Sequence, residues 1–573
     1  MVTVRSLHAM QDMPGKTRRV SMTTDTRVVR RARTLLSPKG PPMRRRRILF
    51  PLLLIAAAGM GTAAVPPQPA AARAATPLDQ VVPAPASVRP GGEPFTLGDR
   101  TRIRVPGGSG EAKRVAGYLA ELLRPATGFR LPVTTKDGRD GIVLRLGGHG
   151  TKGLGAEGYR LRSGARAVTI SAGKPAGLFH GVQTLRQLLP AAVEERTEQP
   201  GPWQVAGGEI ADAPRYAYRG AMLDVSRHFF TVAQVKRYID QLALYKVNKL
   251  HLHLSDDQGW RIAITSWPRL ATYGGSTEVG GGPGGYYTKD DYREILRYAA
   301  SRYLTVVPEI DMPGHTNAAL ASYAKLNCNG VAPPLYTGTE VGFSSLCVPK
   351  KVTYDFVGDV IREIAALTPG PYLHIGGDEA HSTSQEDYAA FMDKVQPVVA
   401  KYGKTVIGWH QLTAARPANG AVAQYWGYDK TSAEERAQVA AATQKGTRLV
   451  LSPADRAYLD MKYDKDTPLG LNWAGYVGVE RSYDWDPGRY LDGVPAGAVL
   501  GVEAPLWTET IRNSAHIEYM TFPRLPGIAE LGWSPEDTHD WPSYRERLAA
   551  QGPRWDALGI GYYRSPEVPW PTR

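Results

Sequence analysis

From Tyr216 onward the chain repeats one pattern: a short apolar run, then a longer amphipathic stretch at helical spacing. Eight strand-like runs can be counted, at 219–225, 249–254, 305–310, 372–375, 405–408, 422–426, 448–451 and 499–502. Helical segments at 232–245, 290–301, 355–367, 386–401 and 433–445 separate most of them. Eight β/α steps predict a parallel sheet closed into a (β/α)8 TIM barrel with enlarged loops, over residues 215–573. A doubly wound open sheet is the alternative, but no Gly-rich dinucleotide fingerprint accompanies it.

The region before the barrel reads differently. Residues 91–214 predict a small α+β accessory domain. Val115, Ala116, Leu119, Leu122 and Leu123 mark a helix over 111–128, which Pro125 is expected to end. Strand-like runs at 142–146, 159–162 and 168–171 follow it. A second stripe comprises Leu178, Val182, Leu185, Leu188 and Leu189. His180, inside that helix, is read as a packing or interface residue. The Pro/Ala-rich stretch 75–90 reads as a linker.

Charge separates the start of the chain from everything after it. The formal net charge is +14, which would suit an acidic partner such as nucleic acid. Residues 1–47, however, carry thirteen Lys/Arg against two acids, so +11 of that charge precedes Ile48. The body is nearly neutral, which argues against a nucleic-acid partner. Arg44 to Arg47 run directly into an apolar stretch at 48–64, with an A-x-A at 72–74. This is the pattern of a secretory signal peptide with a basic N-terminal extension, over residues 1–74, and it predicts a secreted protein with no stable membrane span after processing. In an exported chain the only two cysteines, Cys328 and Cys347, are expected to close one surface loop as a disulfide; two unrelated thiols are the alternative.

What stands after each strand carries the chemistry, because strand C-termini of such a barrel converge on one site. These positions hold Arg227; Asp256 and Asp257; Asp311 and His315; His374, Asp378 and Glu379; Trp409; Trp426; Tyr458 and Asp460; Trp507 and Glu509. Trp473 lies in a long late loop. Flat indole faces cover the C–H faces of pyranose rings, while Arg and carboxylates take hydroxyls, so the set describes a sugar site. In HIGGDEAH (374–381) two acids follow a Gly pair. Adjacent carboxyls in a pocket repel, so one should hold its proton to higher pH, as a general acid must.

HLHLSDDQGWR (251–261), PEIDMPGH (308–315) and HIGGDEAH resemble the signatures of family 20 glycoside hydrolases, the β-N-acetylhexosaminidases. DVSRHF (224–229) and LWTE (506–509) fit the same family, and EGYRL (157–161) and GVQTLRQLL (181–189) are similar to its accessory domain. The resemblance implies an exo-acting retaining hydrolase that removes terminal β-linked N-acetylglucosamine or N-acetylgalactosamine. Chitin-derived oligosaccharides and glycoconjugates are the implied partners, and no cofactor or metal is needed. By the same resemblance Glu379 matches the general acid/base. Asp378 matches the residue orienting the substrate's 2-acetamido group, and Tyr458 the partner of its oxygen. His315 and Asp256 look like a pair supporting Glu379. Trp409, Trp426 and Trp507 match the acetamido pocket walls; Arg227, Glu509, Asp460 and Trp473 match binders of ring hydroxyls.

Two rivals remain to be weighed. His251 and His253 share one strand face and, with the other acids and histidines, could ligate a metal; inward barrel residues more often pack. A non-catalytic lectin would use the aromatics and Arg227 but has no need of paired acids.

Overall fold

The computed structural model describes residues 75–148 and 150–572. The basic segment and apolar run assigned to export lie outside the described residues. Eight parallel strands close a barrel: β1 (Tyr218–Asp224), β2 (Lys249–His253), β3 (Thr305–Glu309), β4 (Tyr372–His374), β5 (Thr405–Trp409), β6 (Val422–Tyr425), β7 (Arg448–Leu451) and β8 (Val499–Ala504). Strand β8 pairs back onto β1 with Tyr218 opposite Gly501. That seam requires glycine. Gly501 has φ +154°, and a Cβ there would lie 1.7 Å from the Tyr218 carbonyl oxygen.

Local chemistry sets where the outer helices begin and end. Thr231 and Thr288 open theirs with capping boxes completed by Gln234 and Asp291. Ser384 and Ser432 accept from the amides of Asp387 and Glu435 in the same way. Four helices then stop at a residue with positive φ, two or three positions before the next strand: Lys246 (60°), Tyr303 (60°), Gly403 (72°) and Gly446 (101°). A left-handed residue turns the chain sharply back toward the sheet, and the same turn recurs around the barrel.

The barrel interior is of two kinds. Tyr218, Val307, Ile407, Val422 and Val450 form an apolar cluster. His251, His253, Glu309, His374, Gln424 and Glu503, equally inaccessible, form an ionic one. The two histidines read as packing are therefore hydrogen-bonded members of a buried network.

The accessory domain is a seven-stranded mixed sheet. Its central order is Gly208–Asp212, Tyr159–Gly164, Ala167–Ala172 and Gly141–Leu146, with helices Gly110–Thr127 and Pro175–Leu188 packed on it and on each other. Two expectations need correction. Pro125 lies inside its helix; Gly128, left-handed at φ 70°, ends it. Pro125 forfeits the backbone bond its N–H would have made to the preceding turn, and the helix runs on to Thr127. The stretch 75–90 is no free linker: Leu78, Val81 and Val82 are buried, and Ser87–Pro90 pairs with Gly208–Asp212.

Polar bonds fix this domain to the barrel. Asp212 accepts from Tyr159 Oη (2.7 Å), Lys246 Nζ (3.3 Å) and Trp533 Nε1 (2.9 Å). Glu157 accepts from Asn248 Nδ2 (2.9 Å), from His180 Nε2 (3.0 Å) and from Arg219. His180 also stands edge-on to Trp533 at 5.0 Å, the interface position expected of it.

Candidate active site

At the C-terminal end of the barrel a cavity of about 410 Å³ is lined by Arg227, His315, Asp378, Glu379, Trp426, Tyr458, Asp460, Trp473, Trp507 and Glu509. Trp409 is completely buried beneath this wall, 5.7 Å from the Trp507 ring. Asp256 sits one shell behind, 3.2 Å from His315 Nδ1. All twelve residues singled out from sequence thus meet at one end of the barrel.

The Gly pair explains how two adjacent acids enter one cavity. After β4 the chain turns through Gly376 (φ 63°) and Gly377 (φ 100°), tightly around Asp311. A Cβ on Gly376 would fall 1.7 Å from Asp311 Oδ1, the oxygen that accepts the Gly377 amide at 3.0 Å. Glu379 (φ 43°) and His315 (φ 53°) then adopt left-handed backbone, rare for such residues and typical of sites whose surroundings over-determine them.

His315 Nε2 lies 3.4 Å from Glu379 Oε2 and 3.8 Å from Asp378 Oδ2. Burial disfavours its charged form, but Asp256 and Asp378 hold its proton well above the usual imidazole range. Asp256 stays well below the carboxylate range against burial, through Arg227 (2.9 Å) and His315. The upward shift of the acid pair, expected on the glutamate as general acid, lies instead on Asp378. Burial pushes it to about 6; His315 opposes the rise, and the neighbouring Glu379 and Glu309 add to it. Burial and the neighbouring Asp378 hold the Asp311 proton well above the normal range.

The remaining walls suit an amide-bearing sugar. Tyr458 stays a phenol far above its normal range because of burial, then the nearby Asp378, so it can donate. Its ring stands 5.9 Å from Trp473 and 6.3 Å from Trp507. Arg227 lies over the Trp507 ring at 4.8 Å. Asp378 Oδ1, Asp460 Oδ2 and Arg227 Nε are buried without a protein partner, and polar atoms so placed are those a sugar's hydroxyls and amide would satisfy. Burial, then Glu509, raises Asp460 well above its usual range.

Cys328 and Cys347 are bonded. Their loop supplies Thr339 and Val341 to the cavity wall, and Gly342 O accepts Ser382 Oγ at 3.1 Å beside Glu379. Thr339, Val341, Tyr428 and Leu471 were not anticipated, since nothing in a long irregular loop says which residue faces inward. Asp311 had a signal, its place directly after β3, but no role was drawn from it.

Comparison with known proteins gives one answer. The model for "Glycosyl hydrolase family 20, catalytic domain" matches residues 216–389 and 381–536, and that for the family's domain 2 matches 79–213. A β-N-acetylhexosaminidase of Cellulomonas fimi is 41% identical over 480 residues, covering 84% of this chain and 95% of that protein. The family 20 β-N-acetylhexosaminidase structure from Streptomyces coelicolor A3(2) superposes with TM-score 0.86 at 71% identity, over 87% of this chain and all of the other. A mutant Streptomyces plicatus β-hexosaminidase in complex with product (GlcNAc) gives 0.85 at 71%, over 87% and 99%. With both domains matched, and with the acid pair, the supporting histidine and the aromatic walls in one cavity, the chain belongs to glycosyl hydrolase family 20.

Proposed function

We propose that this chain is an exo-acting, retaining β-N-acetylhexosaminidase that releases terminal β-linked N-acetylglucosamine or N-acetylgalactosamine, with the substrate's own acetamido oxygen as nucleophile. One observation carries the reading: Asp378 and Glu379 are sequence neighbours entering the same cavity. Two carboxylates on opposite faces of one sugar carbon, the usual retaining arrangement, do not come readily from adjacent residues.

In this scheme Glu379 donates a proton to the leaving oxygen, then takes one from water. Asp378 receives the acetamido N–H and offsets the positive charge of the oxazolinium intermediate. Tyr458 donates to the acetamido oxygen, and Trp409, Trp426 and Trp507 enclose the methyl group. Arg227, Glu509, Asp460 and Trp473 hold the ring. Intramolecular attack by a held nucleophile is worth up to about 7–11 kcal/mol. One lost hydrogen bond is worth only about 0.5–1.5 kcal/mol.

The test compares aryl β-N-acetylglucosaminide, aryl β-N-acetylgalactosaminide and the matching plain β-glucoside. Turnover of either acetamido sugar with near-absent cleavage of the glucoside is expected. Brisk cleavage of the glucoside, or a sugar ester trapped on Asp378, would overturn the scheme. Export is part of the proposal, supported by the charge and apolar pattern of residues 1–74; among the described residues no helix is long and apolar enough to cross a membrane. The exported form is expected to lack residues 1 to about 74, and secreted material whose N-terminus precedes Ile48 would refute that processing.

A further inference from the structure

A column of alternating carboxylates and imidazoles runs through the barrel interior and ends at Glu379. Glu503 Oε1 lies 2.8 Å from His251 Nδ1, and His251 Nε2 lies 2.9 Å from Glu309 Oε2. The same Glu309 oxygen lies 2.6 Å from His253 Nδ1, and His253 Nε2 lies 2.7 Å from Asp256 Oδ2. Asp256 Oδ1 then meets His315 Nδ1 at 3.2 Å, and His315 Nε2 meets Glu379 Oε2 at 3.4 Å. Every member before Glu379 is at most 3% exposed.

Packing alone does not account for such a column. Fully buried charges are costly unless paired, and leucine or valine would fill the same barrel space without that cost. The pairing here is arranged in sequence: each imidazole stands between two carboxylates, hydrogen-bonded through both nitrogens in His253 and through Nδ1 in His251 and His315, and Asp256 shares one oxygen between His253 and Arg227 while turning the other to His315. We propose that His253 and Glu309, backed by His251 and Glu503, are positioning residues that keep Asp256 ionised and aimed at His315, and so set how tightly Glu379 holds its proton. This rests on Glu379 being the general acid.

The charged groups around His253 come from several elements. Glu309 on β3 and Asp256 face its two nitrogens. Asp311 lies close by, in the loop after β3. Arg227 and His315 share Asp256 with it; His251 and His374 share Glu309. Asp224 is its register neighbour on β1. Burial works against the His253 cation, but Glu309 and Asp256 hold its proton far above the usual range; His251, opposed by burial and raised by Glu503 and Glu309, reaches about 9. A carboxylate oxygen within 2.9 Å of each ring nitrogen favours the doubly protonated form of both rings.

The sign of each perturbation follows. His253→Gln removes a positive charge near Glu379, so the acid holds its proton more tightly. The alkaline limb of kcat/KM should then move up by about 0.5–1 pH unit, as a nearby charge at intermediate dielectric implies. Glu309→Gln removes a negative charge while Asp256 still holds the His253 proton, so the limb should move down by a similar amount. A merely structural column would lower activity in both variants without opposite shifts.

Glu379→Gln, profiled on an aryl substrate with a good leaving group, should lose the alkaline limb. If it keeps the wild-type limb, the general-acid reading fails and this proposal falls with it. If the limb is lost there, yet stays in place or moves the same way in both other variants, the proposal alone is overturned. Should neither variant fold, the ¹⁵N imidazole shifts of the wild-type enzyme decide. Doubly protonated His251 and His253 at pH 7 are expected, and a neutral His253 overturns the proposal.

Discussion

Asp378 is buried, carries an acid shifted to about 6 and, in the scheme proposed above, acts as an anion that offsets oxazolinium charge. A carboxyl raised above its ordinary value is neutral below the shifted pKa and charged above it. Activity should therefore fall as pH drops through about 6, and Asp378→Asn should lose both most of its rate and this acid limb. A limb that persists unchanged in the Asn variant would assign it elsewhere. Glu379→Gln should cost about 10²–10⁴ in rate on substrates with poor leaving groups and less on activated aryl glycosides; equal losses in the glycosylation step would count against an acid role. The residues proposed to act directly, which the structure gathers around one cavity, could be picked out from sequence because they sit in short motifs at strand ends. Glu309, His253 and Asp311 were harder to assign. An inward strand residue acquires its partner only when distant strands close, as Glu503 reaches His251 across 252 positions.

At the scale of elements, the turn after β4 leaves no room for a side chain at Gly376. Gly376→Ala adds a methyl group on top of the Asp311 carboxyl and puts a Cβ at a positive φ. The expected outcome is near-complete loss of activity with a lowered melting temperature, while Gly403→Ala, with positive φ but nothing within 4 Å, should cost stability only modestly and leave activity intact. The disulfide loop closes 19 positions of chain, so Cys347→Ser should cost about 2–4 kcal/mol in urea unfolding. Its KM should rise as well, since Thr339 and Val341 hang on that loop. Strands were readable because their signal is local, a short buried run. The end of the helix Gly110–Thr127 was misplaced because Pro125 forfeits only its own backbone bond without ending the helix, and Gly128 carries the actual stop.

Over the whole molecule, the accessory domain and barrel are joined by buried charges, not by a loose seam. Lys246 is fully buried and its ammonium has Asp212 as its carboxylate. Asp212→Ala should cost about 3–5 kcal/mol, because it leaves that cation uncompensated, and should leave KM unchanged wherever the protein remains folded. A KM shift with no fall in melting temperature would show that this interface reaches the catalytic end. The stretch 75–90 misled for a related reason: Ala/Pro-rich composition describes what a segment lacks, while its place is fixed by partners far along the chain. Ala84 donates to Glu530 and accepts from Ser534, and the Val81 carbonyl accepts from Arg547, up to 466 positions away. Ribosomes emit about 5–20 residues per second, so the partners of these early residues arrive about 20–90 s after them. Gln187 and the strand Gly208–Asp212, which also hold this segment, follow it by only about 5–25 s, so one piece of chain is fastened twice, first to its own domain and last to the far end of the barrel.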